Sequence, residues 1–139
     1  MIKNQEEFDT LKRKAIDGDS ESQCMVADVY ADDTNAIHDV KEAVFWYEKA
    51  AEQGHTKAQC LIGTSYFQGI GVSQDLEKAE KWLIKSAQGG DSEGQYTLGG
   101  FYFMKPDIVK AKYWLEKAAE QGHDEANKML PAIKHLSEI

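Results

Sequence analysis

Apolar residues along this 139-residue chain recur at helical spacing, and the pattern predicts paired helices and no strand. Near the middle, Ala58, Ile62 and Tyr66 fall at i, i+4 and i+8, one stripe of a helix. Shortly after, Ala79, Trp82, Leu83, Ser86 and Ala87 fall at i, i+3, i+4, i+7 and i+8, which gives a second helix one buried face. Asp75 stands where that helix begins, as an acceptor for its free N–H groups. Gly90 follows its last apolar position, where a left-handed residue ends a helix at little cost. Gly63 lies inside the first helix and costs about 1 kcal/mol relative to Ala. A helix tolerates that where a neighbour comes close, so Gly63 marks the expected crossing of the two helices.

The same pattern occurs three times. KEAVFWYEKAAEQGH (41–55) and VKAKYWLEKAAEQGH (109–123) agree at 10 of 15 positions, and EKAEKWLIKSAQGGD (77–91) lies between them in register. Trp46, Trp82 and Trp114 coincide, as do Lys49, Lys85 and Lys117, then Gly54, Gly90 and Gly122. Asp39 and Asp107 match Asp75, and Gly99 matches Gly63, while the first copy has Ala27 there. Earlier in each copy, Ser22 to Tyr30, Ala58 to Tyr66 and Gly94 to Tyr102 align. The third copy is four residues shorter where the second has Gly69-Ile70-Gly71-Val72, which places the gap in a loop.

These residues resemble the Sel-1-like repeat family, relatives of the tetratricopeptide repeats. The second copy supplies the family's pattern as Ala58, Ile62-Gly63, Tyr66, Gly69-Ile70-Gly71-Val72, Asp75, Lys78-Ala79, Trp82, Lys85-Ser86-Ala87 and Gly90. The match spans residues 22–126, with two departures. Asp33-Thr34-Asn35-Ala36 replaces the glycine loop in the first copy, and the third lacks it around Lys105-Pro106. The resemblance implies a right-handed α-solenoid with the first helix of each repeat lining its concave face. It also implies a non-catalytic role in gripping other proteins.

One domain, residues 1–139, is expected, with repeats at about 18–53, 54–89 and 90–121. Terminal helices should close the open ends of the stack. Residues 5–17, with Phe8, Leu11, Ala15 and Ile16 on one side, form the first cap. Residues 122–139, with Ala126, Leu130 and Ile133, form the second, and Pro131 is expected to kink or break it.

Composition narrows the function. The net charge of -8 and pI near 5.0 argue against nucleic acid and anionic membranes and favour a protein partner with a basic surface. Residues 17–42 hold eight carboxylates against the single lysine Lys41, which makes an acidic docking end or a solvated one. No apolar run approaches the roughly 20 residues of a membrane span, and the charged N-terminus does not read as a signal peptide. Two cysteines then point to a reducing cytoplasm. Cys24 and Cys60 sit on neighbouring first helices, about 8–10 Å apart, too far for a disulfide, so free thiols are expected.

Catalytic and metal chemistry find no support. His55 and His123 share one repeat position where the other copies have Asp19 and Asp91, so they read as connecting or N-cap residues. No metal-ligand spacing, phosphate loop or nucleophile motif is present, and no cofactor is expected.

Facing away from the predicted core are Cys24, Asp28 and Ala31 in the first copy, Cys60, Thr64 and Phe67 in the second, and Tyr96, Gly100 and Phe103 in the third. With Asp32 and Asp33 they make a candidate concave surface, acidic at one end and aromatic in the middle, extended by Lys128, Ala132 and His135. Phe67 and Phe103 either face this groove or pack between repeats. The function expected is that of a monomeric inhibitor or immunity-type protein that covers a basic partner. The alternative is an adaptor that recruits a peptide or helix, and an enzyme such as a hydrolase comes far behind.

Overall fold

The computed structural model describes residues 4–138, and helices fill it. In chain order they are α1 (Gln5–Ile16), α2 (Ser20–Ala31), α3 (Val40–Glu52), α4 (Thr56–Gln68), α5 (Leu76–Gln88), α6 (Ser92–Met104), α7 (Ile108–Glu120) and α8 (Asp124–Ser137). No strand occurs among the described residues. Each boundary has a local cause. The carboxylates of Asp19, Asp39, Asp75, Asp91 and Asp107 accept N–H groups of the first turns they precede. Gly54, Gly90 and Gly122 follow α3, α5 and α7 at φ of 92°, 91° and 84°, a conformation that costs glycine least.

The eight helices form a solenoid in which α2/α3, α4/α5 and α6/α7 are the repeats. Within a repeat, the helices cross where the first is thinnest. A methyl group on Gly63 would stand 2.9 Å from Leu83 Cγ, and one on Gly99 would stand 2.7 Å from Leu115 Cγ. Leu83, Leu98, Leu115 and Ile62 are fully buried. The first repeat has Ala27 in place of the glycine and Tyr47 in place of the leucine, and both are buried.

Successive repeats are joined by buried amides. The side chains of Gln23, Gln59 and Gln95 donate to the carbonyls of Ala15, Ala51 and Ala87 at 3.0, 3.2 and 3.2 Å, each in the helix before. Gln53 and Gln121 then donate to the amide oxygens of Gln23 and Gln95 at 2.8 and 2.9 Å. Each of these carbonyls also accepts the N–H of the glycine just beyond its helix, Gly18, Gly54 or Gly90, so the amide takes its second lone pair. α4 and α6 touch directly, though less than helices adjacent in the chain do, whereas the outer helices α3, α5 and α7 meet each other marginally at most. The stack therefore closes on the α4/α6 side, its concave face.

Two expectations are corrected. Trp82 is not a fully buried ring: Trp46 is 6% exposed, but Trp82 and Trp114 are half-buried. Leu83 takes the centre of the α5 stripe against Gly63, which leaves Trp82 at the margin with the Lys85 ammonium 4.8 Å from its ring centre. Nor does Pro131 break α8, which runs through it. Pro131 and Asn127 are both exposed, so water can satisfy the Asn127 carbonyl that loses its partner, while Ile133 keeps the opposite side buried.

The stability order of variants follows. Leu83→Ala should cost about 2–5 kcal/mol, and Trp82→Ala clearly less. Gly63→Val should cost about 1–3 kcal/mol by overpacking against Leu83. Gly100→Ala, whose added carbon would meet nothing within 4 Å, should gain up to about 1 kcal/mol. Urea denaturation followed by circular dichroism measures all four, and a Gly63→Val melt equal to the parent's would overturn the crossing.

Candidate functional site

The concave face holds a groove of about 230 Å³ between α4 and α6, open to solvent and mostly apolar. Thr64, Phe67 and Gln68 of α4 form one wall. Tyr96, Thr97, Gly100, Phe101 and Met104 of α6 form the other, and Met129 of α8 closes the far end. Bare backbone at Gly100 gives the groove its depth, since the space beside its Cα is empty. The adjacent Gly99 and Gly100 of α6 thus do different work: Gly99 admits Leu115 from below, and Gly100 leaves room above.

Four of the candidates read from the sequence, Thr64, Phe67, Tyr96 and Gly100, meet in this groove. Phe67 does both things the sequence left open, because it lines the groove and packs edge-on against Phe101 with ring centres 5.6 Å apart. Phe103, at the equivalent position, lies outside the groove and is 37% exposed. In α8 the counterpart of Phe101 is Ile133, which offers Phe103 no ring edge. Cys24 and Cys60 are buried between first helices rather than presented to the groove, with Cys60 Sγ 3.8 Å from Thr97 Oγ1. Gln68, Thr97, Phe101, Met104 and Met129 were not anticipated. The spacing 96, 100, 104 could have found Met104, but Met129 depends on where α8 docks.

Tyr96 is held in place from below. Its ring stacks on His123 at 4.4 Å with an interplanar angle of 20°. His123 Nδ1 accepts the Ala126 N–H at 3.2 Å and so caps α8, while Nε2 stands 2.7 Å from Glu93. These contacts fix the tautomer with its proton on Nε2, donated to Glu93. His55 repeats the arrangement at α4, with the Ala58 N–H at 3.2 Å and Glu21 at 2.7 Å.

The acidic end is partly neutralised. Asp28 accepts the Tyr47 hydroxyl at 2.6 Å and pairs with Lys57 at 3.2 Å, so its charge already has partners. That hydrogen bond and charge hold the Lys57 ammonium above its ordinary range. Asp32 and Asp33 are exposed. The Thr34 hydroxyl, at 2.6 Å, and its N–H, at 2.9 Å, hold the Asp32 carboxyl below the usual carboxylate range. Asp32 therefore stays ionised in mildly acidic solution. No group of three or more potential metal ligands occurs among the described residues, and no described helix is long and apolar enough to cross a membrane.

Both cysteines are free thiols. Burial, reinforced by the Asp28 charge, pushes the Cys24 thiol up to about 12, and burial pushes Cys60 up to about 11. Thiolate is the reactive form. Native protein should therefore react slowly with a thiol reagent from pH 7 to 9, and both thiols should titrate at once, without reductant, after denaturation. Rapid native labelling of either one would contradict the packing around it.

The architecture and its internal repetition agree with known proteins. The Sel1 repeat family model matches residues 20–55, 56–91 and 93–123. A protective antigen of uropathogenic Escherichia coli with an SLR fold superposes with a TM-score of 0.80 at 34% identity, over 86% of this chain and 26% of that one. A Sel1 repeat protein from Oxalobacter formigenes superposes with a TM-score of 0.82 at 29% identity, over 89% of this chain and 51% of its own. This chain therefore spans about a quarter of one and half of the other. Among curated proteins, none matches it. With three repeats in register over most of its length, the chain belongs to the Sel1 repeat family, whose repeats are protein–protein interaction modules.

Proposed function

We propose that the concave face binds a protein with a basic surface, as an inhibitor or immunity-type protein does when it covers its target. The observation that carries this reading is the Gly100 groove. An apolar slot flanked by Phe67 and the His123-braced Tyr96 can receive one large side chain. Buried aromatic anchors of this kind dominate interface energies. The exposed carboxylates Asp32 and Asp33 at the first repeat supply attraction at longer range. Asp28, held by Tyr47 and Lys57, shapes that end more than it charges it. Two buried free thiols suit a reducing compartment such as the cytoplasm. The binding reading involves no catalysis, and it pictures a monomer in one-to-one contact with its partner.

Affinity capture with the parent and with Gly100→Leu, which fills the groove, identifies the partner as a protein lost from the variant. Its binding is then followed at two salt concentrations. Tyr96→Ala should cost about 2 kcal/mol or more, mostly as faster dissociation. Reversing Asp32 and Asp33 to Lys should slow association and flatten its salt dependence, because exposed pairs are individually worth under about 1 kcal/mol. Kinetics unchanged in both variants would remove the concave face from the interaction.

A further inference from the structure

The outer face of α5 carries a trough of about 530 Å³ that the binding reading does not use. Half-buried Trp82 lines it together with Lys78, Lys81 and Lys85. The Lys85 ammonium lies 4.8 Å from the Trp82 ring centre, and Lys78 lies 5.3 Å from that of Tyr66. Among the described residues none of these three lysines forms an ion pair. The trough's single carboxylate, Glu48 of α3, already accepts the Tyr66 hydroxyl at 3.3 Å. In a chain of net charge -8, this is a local cationic, aromatic surface.

Comparison among the three repeats shows that it is special to the central one. Where α5 has Gln88, α3 and α7 have Glu52 and Glu120. Where α5 has Ile84, they have Glu48 and Glu116. Lys78 is matched by Glu42 in the first repeat and by Lys110 in the third, and Lys81 by Phe45 and Tyr113. Acid is thus replaced by neutral, apolar or basic side chains on this one outer face.

We propose that the outer face of α5 docks an acidic protein segment that presents an apolar side chain to Trp82 and carboxylates to Lys78, Lys81 and Lys85. The lysines supply charge complementarity, and the indole supplies contact area for the apolar group. A short acidic segment suits the site better than nucleic acid, whose extended charge the rest of the surface repels. Because α5 lies on the convex side and the Gly100 groove on the concave side, both can be occupied at once.

The test uses the intact chain labelled with nitrogen-15 and titrated with a synthetic peptide that alternates Glu with Leu. Amide shifts should concentrate on residues 78–88 and fade in high salt. Lys81→Glu with Lys85→Glu should weaken the peptide by about tenfold or more without lowering the melting temperature, since both side chains are exposed. Gly100→Leu should leave this binding unchanged, which separates the result from the concave site. The proposal is overturned by absent shifts at millimolar peptide, or by shifts spread equally over Lys49, Lys112 and Lys117. Tighter binding of a DNA oligonucleotide to the same residues would overturn it in favour of nucleic acid. Self-association through α5, seen by sedimentation, would overturn it in favour of a second copy.

Discussion

The second and third repeats depend on one close approach, that of a leucine in the second helix of a repeat to a glycine in the first, while the first repeat has Tyr47 and Ala27 at those positions. Leu83 against Gly63 and Leu115 against Gly99 bring the helix axes nearer than any side chain beyond hydrogen allows. Once they are that close, each pair becomes a flat unit that can stack. Glycine inside a helix is unfavourable by about 1 kcal/mol, but burial of a leucine side chain offsets it. The buried glutamines then hold unit to unit by binding helix-end carbonyls, so stacking satisfies polar groups as well as apolar ones.

That geometry divides the surface into two chemically different faces. First helices approach one another on the concave side, and where α4 and α6 meet, Gly100 of α6 opens a slot between aromatic rings. Second helices diverge on the convex side and leave Trp82 within reach of solvent. Lysines of the outer helices lie over aromatic rings, as Lys49 does over Phe45 and Lys117 over Tyr113. Carboxylates collect around the first repeat instead. The net acidity of the chain is thus a poor description of what any one partner would meet.

The terminal helix α8 is more than a cover. His123 at its start caps the helix and also supports the Tyr96 ring, and Met129, nearly two turns on, closes the groove. Groove and end-cap are therefore mechanically one object. Pro131 sits on the exposed side of this helix, where the lost hydrogen bond falls towards water and not towards Ile133.

The repeat and its helix caps were legible in the amino-acid order, because caps are set by neighbours along the chain, and the crossing glycines were legible because a glycine inside a helix needs a close neighbour to justify it. Asp39, Asp75 and Asp107 begin helices and Gly54, Gly90 and Gly122 end them through contacts a few residues away. Thr64, Phe67, Tyr96 and Gly100 were legible as one surface because helical periodicity alone turns them away from the core. Periodicity resolves direction only to within a wide arc, however. It could not separate Trp82 at the margin from Leu83 at the centre, nor tell that Cys24 and Cys60 face neighbouring helices. Only the tertiary structure tied Asp28 to Tyr47 and Lys57, set Phe103 outside the groove, and brought His123 beneath Tyr96. Each of those outcomes depends on how far one repeat is rotated against the next, a quantity decided by packing across the interface and carried by no single stretch of chain.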